Sequence, residues 1–406
     1  MPANVIGVLE GVQSAAITVR QERCAMVRNR NADCLRCADA CTSGCISLVD
    51  GLLSIDLSKC VGCGTCATAC PTCALESHNP SDSVLLNSAL ENARDGIAVV
   101  ACHPICGIAQ PQGGNSTGSS VATALVDGPC GKPSDVASMT EVVCLGRVDE
   151  SLICALAAAG IQQVHLKCGD CERCEQRRGF ASARVVVDSA NALLEAWGSS
   201  ARATIEQELV PLQLRNEPIV HRGSRANSDS SASGIDAMSE IFDTAPGDEC
   251  PGPSSASRLP RVMRDGTLPH FLPVRRERLL DSLVQMGNPV APSISTRLWG
   301  MVSIDERACV SCRMCSTFCP TGAIVRFDDP DGAMGVEHYP GDCVKCGTCR
   351  AICPAGAIEI RDEVSPACLL DGEVHRYEMR PREVEFGPHQ ILQTMSRLVD
   401  GDLFER

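Results

Sequence analysis

Residues 309–320 read Cys309-Val-Ser-Cys312-Arg-Met-Cys315-Ser-Thr-Phe-Cys319-Pro320, and residues 343–354 read Cys343-Val-Lys-Cys346-Gly-Thr-Cys349-Arg-Ala-Ile-Cys353-Pro354. Both follow one phase, C-x2-C-x2-C-x3-C-P. Three thiolates on a tight turn reach three irons of a cubane, and the fourth, next to proline, points the other way toward a second cluster. A four-cysteine zinc site does not need this phase. Disulfides are excluded on spacing, because neighbours two or three residues apart in successive runs read as thiolate cages.

With Cys319-Pro-Thr-Gly-Ala-Ile324 and Cys353-Pro-Ala-Gly-Ala-Ile358, this stretch resembles the bacterial two-cluster ferredoxins. The resemblance implies one [4Fe-4S] cluster on Cys309, Cys312, Cys315 and Cys353. It implies a second on Cys343, Cys346, Cys349 and Cys319. The connection from Cys319 to Cys343 is longer than in compact members and reads as a surface insertion.

The motif recurs at Cys60-x2-Cys63-x2-Cys66-x3-Cys70-Pro71, with an irregular partner half: Cys24, then Cys34-x2-Cys37-x3-Cys41. Aligned on the same family, Cys24, Cys34, Cys37 and Cys70 form one cage, and Cys60, Cys63, Cys66 and Cys41 the other. Cys45 and Cys73 then take non-ligand positions and read as small buried hydrophobes. A competing reading groups Cys34, Cys37, Cys41 and Cys45 and leaves Cys24 free. The 18 residues between Cys41 and Cys60 favour the first, since they match compact two-cluster ferredoxins. No proline follows Cys41, a departure from the family.

Between these modules, Cys102, Cys106, Cys144, Cys168, Cys171 and Cys174 fall near the ends of expected strands, where ligands gather in α/β folds. The strings Cys144-Leu-Gly-Arg147-Val148-Asp149 and Cys168-Gly-Asp-Cys171 make residues 96–180 resemble the delta subunit of the methyl-viologen-reducing (F420-non-reducing) hydrogenases. That resemblance implies a [2Fe-2S] cluster, with Cys102, Cys106, Cys144 and Cys171 as the ligands carried over. The first pair is spaced x3 rather than x2, and Cys174 is extra, so exchange of ligands within 168–174 stays open. Asp149 is expected to cap a helix. Arg147 is expected to neutralise the cluster or pair with Asp149. His103 reads as loop packing and His165 as a satisfied strand residue.

The expected architecture is α+β ferredoxin-like dicluster modules at both ends with a central α/β domain. The boundaries are 1–80 for the N-terminal dicluster module and 96–197 for the α/β iron–sulfur domain. A mostly disordered linker spans 198–268, a short helical connector 269–298, the C-terminal dicluster module 299–365 and a tail 366–406. Strands are expected at 96–101, 142–143, 163–166 and 184–187. Helices are expected at 149–159, 189–210, 276–286 and 390–398. The glycines at 113, 114 and 118 read as a flexible polar loop. No G-x-G-x-x-G opens a helix, so there is no nucleotide fingerprint.

Composition narrows the function. The chain has 406 residues, 28 of them Cys, and a formal charge of -14. Aromatics make up 3%, with two Trp and two Tyr, too few for a base-stacking surface. Nucleic acid is therefore not an expected partner. Glu10 interrupts the first apolar run, no basic n-region precedes it, and no stretch of about 18 apolar residues spans a membrane. The expected setting is cytoplasmic. The expected cofactors are four [4Fe-4S] and one [2Fe-2S], and the expected role is a subunit relaying single electrons to or from a flavin- or molybdenum-containing oxidoreductase. Two rivals stand beside it: a reductase with its own site in the central domain, and an iron–sulfur redox regulator or scaffold.

Overall fold

The computed structural model describes residues 16–102, 139–207 and 268–380. Cys106, His103, the glycines at 113, 114 and 118 and the expected helix at 390–398 lie outside the described residues.

The N-terminal part is built from two antiparallel pairs. Strand β1 (Ile17–Val19) pairs with β4 (Leu75–Ser77), and β2 (Ile46–Val49) pairs with β3 (Leu52–Ile55). Ile17, Ile46, Leu53 and Leu75 are buried, and the core they share is completed by the cysteines themselves. So few apolar residues make a thin core, in which buried cysteines stand where aliphatic side chains would otherwise pack.

The middle of the chain forms a parallel sheet in the order β6 (Met139–Val142), β5 (Ile97–Cys102), β7 (Gln163–Cys168), β8 (Arg202–Gln207). On one face of the sheet Ala98 and Val100 of β5 and Val164 and Leu166 of β7 are buried beneath helices, while Ile97 and Gln163 of the other face are exposed. Glu150–Ala158 and Arg177–Ala196 pack against the sheet, the latter through Ala183, Val186, Ala190 and Leu194, one helical stripe. His165 is satisfied by Gln163 and Thr204, each at 3.1 Å.

Two sequence expectations fail here. Arg184–Val187 is not a strand but part of the long helix: Val186 joins the buried stripe of Ala183, Ala190 and Leu194 while Val185 faces out, and packing overrides β-branched propensity. The helix expected through 210 ends at Ala196. Gly198, at φ +68°, turns the chain, and Arg202–Gln207 becomes the edge strand of the sheet rather than linker.

In the C-terminal part, β10 (Met301–Ile304) pairs with β13 (Ile358–Arg361), and β9 (Ile294–Ser295) with β14 (Glu363–Val364). The long insertion forms a hairpin of β11 (Ile324–Asp328) and β12 (Met334–His338). Residues assigned to a tail add to it: β15 (His375–Glu378) pairs with β12, preceded by the helix Pro366–Leu370. The helix Val274–Gln285 ends at Gly287, at φ +99°, as the sequence suggests. It ties the parts together, burying Leu279 and Leu283 with Trp197, Trp299 and Leu369. Trp299 donates to the Gly341 carbonyl at 3.1 Å, and the Arg276 guanidinium lies 4.2 Å from its ring centre.

Candidate metal centres

The C-terminal cages are the most regular. Cys309, Cys312, Cys315 and Cys353 line one cavity. Cys319, Cys343, Cys346 and Cys349 line another. These are the two sets that the crossed motif implies. The β10–β13 pairing, with Ile304 opposite Ile358, places the two cysteine runs side by side. Between the first three cysteines of each run the backbone turns left-handed twice, at Ser311 and Arg313 and again at Lys345 and Gly347. This coil aims successive thiols at one point. Gly62 and Gly64 repeat it between Cys60 and Cys66.

The thiols resist ionising without a positive partner. Burial pushes Cys315 and Cys343 up to about 12 and Cys346 up to about 11, with neighbouring thiolates adding to each shift. Iron would supply the compensating charge. Backbone amides already aim at sulfur at equivalent places: Ala357 N–H to Cys353 Sγ at 3.4 Å and Ala74 N–H to Cys70 Sγ at 3.2 Å.

In the N-terminal part the irregular cysteines gather. Burial raises Cys24 and Cys34, and Cys37 up to about 12; Cys70 raises all three further, and Cys24 also raises Cys34 and Cys37. These four share one neighbourhood. Burial also raises Cys66, with Cys63, Cys60, Cys37 and Cys41 adding in that order. Cys34 and Cys37 thus lie with Cys24 rather than forming a cage of their own with Cys41 and Cys45. Cys45 is buried, its Sγ 3.5 Å from Cys41 Sγ, and Cys41 and Cys60 add to the upward shift that burial gives its thiol.

Cys73 departs from the reading as a plain hydrophobe. Arg275 donates to its Sγ from Nε at 3.2 Å and Nη2 at 3.0 Å. Burial raises the thiol, and the guanidinium opposes that shift. The same arginine donates to the carbonyls of Ala67 and Cys70. A positive charge is thereby fixed behind the first N-terminal cage.

The central cysteines converge at the carboxyl ends of adjacent parallel strands. Cys102 ends β5, Cys144 follows β6, Cys168 ends β7, and Cys171 and Cys174 lie in the next loop. Burial pushes Cys144 up to about 12, with Cys63, Cys174 and Cys102 adding. Cys168 is lowered by the hydrogen bond with Cys171, against burial and against Cys102, Cys144 and Cys174. Cys168 and Cys174, outside the carried-over set of four, stand in the same group as Cys102, Cys144 and Cys171. Gly179 lets the long helix pass directly under Cys144: a methyl there would collide with the sulfur.

Arg147 is buried and does not pair with Asp149. It donates to the Pro80 carbonyl from Nε at 3.1 Å and Nη2 at 3.0 Å and pairs with Asp82. Its side chain crosses over Gly64, where a Cβ would meet it. Asp149 does cap its helix, accepting from Leu152 N–H at 2.9 Å and from the Ser151 hydroxyl at 2.6 Å. Its charge is met by Arg275 at 3.4 Å and Arg278 at 3.7 Å.

The arginines between modules had no signal as site residues, because their partners are backbone carbonyls far away in sequence. Arg28 donates to Pro269 at 2.7 Å and to Cys319 at 3.2 Å, and Arg36 to Lys345 at 2.8 Å. These contacts bring Cys34 close enough to Cys346 to raise it.

A family described as a 4Fe-4S dicluster domain matches residues 302–382, and one described as a 4Fe-4S binding domain matches residues 53–76. The chain thus carries two ferredoxin-type 4Fe-4S domains, one toward each end. Neither match extends into residues 96–180. No curated protein and no solved structure matches the chain. Among the described residues, no helix is long and apolar enough to cross a membrane.

Proposed function

We propose that this chain is a multi-cluster iron–sulfur electron-transfer subunit in which five thiolate sets form one continuous path. The observation that carries the reading is the sequence of neighbours linking the sets. Cys144 of the central group lies within electrostatic range of Cys63. Cys66 is in range of Cys37, Cys346 of Cys34, and Cys349 of Cys315. Each pair joins one set to the next, so the path runs from the central domain through the N-terminal module to the far cage of the C-terminal module.

Four [4Fe-4S] clusters and one [2Fe-2S] would be held by Cys24, Cys34, Cys37 and Cys70; by Cys60, Cys63, Cys66 and Cys41; by Cys343, Cys346, Cys349 and Cys319; by Cys309, Cys312, Cys315 and Cys353; and by four of the central thiols. Bound clusters supply one-electron storage without making or breaking bonds to the protein. The chain's own residues set the terms. Burial shields most of the sulfurs, amides of Ala74 and Ala357 donate to them, and Arg28 holds a positive charge between sets while Arg275 holds one behind the first N-terminal cage.

The two ends of the path are the docking points for redox partners. The central group, on the rim of an α/β sheet, would face one oxidoreductase, and the cage of Cys309, Cys312, Cys315 and Cys353 the other. Cys312 is exposed, which suits exchange with a partner at that end. A flavin- or molybdenum-containing partner fits, since one-electron carriers need a centre that couples to two-electron chemistry.

The test is iron and acid-labile sulfide on anaerobically purified full-length protein, with electron paramagnetic resonance during stepwise reduction. The expected result is about 18 iron atoms per chain and spin–spin broadening between reduced clusters. About eight iron atoms, or signals that never interact, overturn the continuous path.

A further inference from the structure

The structure assigns a metal site outside all five thiolate sets, made of Cys368, Glu373 and His375 beside the C-terminal hairpin, and we propose that it binds zinc. One donor atom from each of the three lies within 4.8 Å of the other two. Cys368 is buried in the helix Pro366–Leu370, and its Sγ donates to Glu373 Oε2 at 2.5 Å. His375 Nε2 stands 3.6 Å from Glu373 Oε1.

A second observation comes from the opposite strand. His338 on β12 is directly opposite His375 on β15, with ring centres 6.4 Å apart. His338 is fully buried, yet neither of its ring nitrogens has a hydrogen-bond partner among the described residues. His375 Nε2 is likewise buried without one. Three orphaned imidazole nitrogens in one place are costly in a dry interior. A cation held by Cys368, Glu373 and His375 gives Nε2 of His375 a partner and presents a charged centre to the facing His338.

The donor set selects the metal. One thiolate, one imidazole and one carboxylate suit a borderline ion, and zinc accepts all three in a tetrahedral shell. Donor atoms around such an ion sit about 3.3–3.6 Å apart, given bond lengths of about 2.0–2.3 Å. The His375–Glu373 separation already falls there. The Cys368–Glu373 contact is shorter than this, so these two side chains would move apart as the ion enters. Zinc would take the place of the thiol proton, which leaves to solvent as the thiolate bonds the metal. The site lies outside the motifs that hold iron, and its fixed-valence ion would lock the helix Pro366–Leu370 and β15 onto the hairpin.

The experiment loads anaerobically purified, iron-replete full-length protein with Zn²⁺, removes the excess and counts zinc and iron together. Wild type is expected to retain one zinc per chain. Cys368→Ser and His375→Gln are expected to lose it while keeping their full iron content, which shows that they remain folded. Loading with Co²⁺ instead is expected to give a thiolate-to-cobalt charge-transfer band in wild type that is absent from Cys368→Ser. Zinc content unchanged in both variants, or a wild type that retains no zinc and shows no such band with cobalt, overturns the assignment.

Discussion

Arg28 Nη2 donates to the backbone carbonyl of Cys319 at 3.2 Å, so a cation of the N-terminal module rests against the C-terminal cage. Burial lowers the pKa of Arg28, while Cys319 and then Cys346 raise it. The attraction runs both ways: the positive charge favours the more negative, reduced state of whatever Cys319, Cys343, Cys346 and Cys349 hold. Arg28→Gln is expected to lower the potential of that centre by on the order of 50–100 mV, taking a unit charge at about 7–10 Å and an effective dielectric near 20. A redox titration followed by paramagnetic resonance reads this directly. An unmoved potential would show that the arginine only braces the interface.

The N-terminal ligand set makes a sharp contrast between two cysteines. Cys24 lies with Cys34, Cys37 and Cys70, while Cys45 stands 3.5 Å from Cys41 of the other set. Cys24→Ser is expected to cost the chain about four iron atoms, the content of one cubane, or to leave a three-iron centre. Cys45→Ala is expected to leave iron content unchanged. The reverse pattern would reinstate the grouping of Cys34, Cys37, Cys41 and Cys45.

How much of this was legible in the sequence depends on how local the cause is. The Cys309–Pro320 and Cys343–Pro354 runs announce their cages because the spacing itself is the geometry, and the two cavities contain the implied cysteines. The strands at 97–102 and 163–168 and the Asp149 cap follow from alternation and end signals within a few residues. The Arg184–Val187 error arose because β-branched residues were weighed without the long helical stripe they belong to. Spacing leaves the choice among Cys168, Cys171 and Cys174 open, and the convergence of β5, β6 and β7 places Cys168 beside Cys102 and Cys144. The pairing of Arg147 with Asp82 and of Arg275 with Cys73 spans 65 and 202 residues, so no local pattern encodes it.

The central group depends on a bare backbone at position 179. A methyl on Gly179 would run into Cys144 Sγ and press on Thr65 Oγ1. Gly179→Ala is expected to displace the thiol and abolish the signal of the two-iron cluster proposed for the central group, while the four-iron signals stay. The effect is local because the residue contacts the central group and not the two C-terminal cages. Loss of all iron together would mean that the glycine serves packing between the helix and the N-terminal module.

Asp149 should give the chain an acid-sensitive joint. Burial alone would raise its carboxyl, but Arg275, Arg278 and the Ser151 hydroxyl outweigh burial and hold it well below the usual carboxylate range. A depressed folded value means that the unfolded chain binds the proton more readily. The stabilisation is therefore complete above the unfolded value near about 3.9 and is lost as pH falls below it. Asp149→Asn keeps a capping oxygen but leaves Arg275 without its carboxylate partner there, which is expected to cost about 3 kcal/mol near neutral pH. Between about pH 6 and pH 3.5 the stability gap between wild type and this variant is expected to narrow by about 0.7 kcal/mol, the share drained by protonating the unfolded carboxylate. Urea unfolding followed by circular dichroism at the two pH values measures it. A gap that holds constant would show that the ion pair across Val274–Gln285 and Glu150–Ala158 carries none of the stability between these two helices.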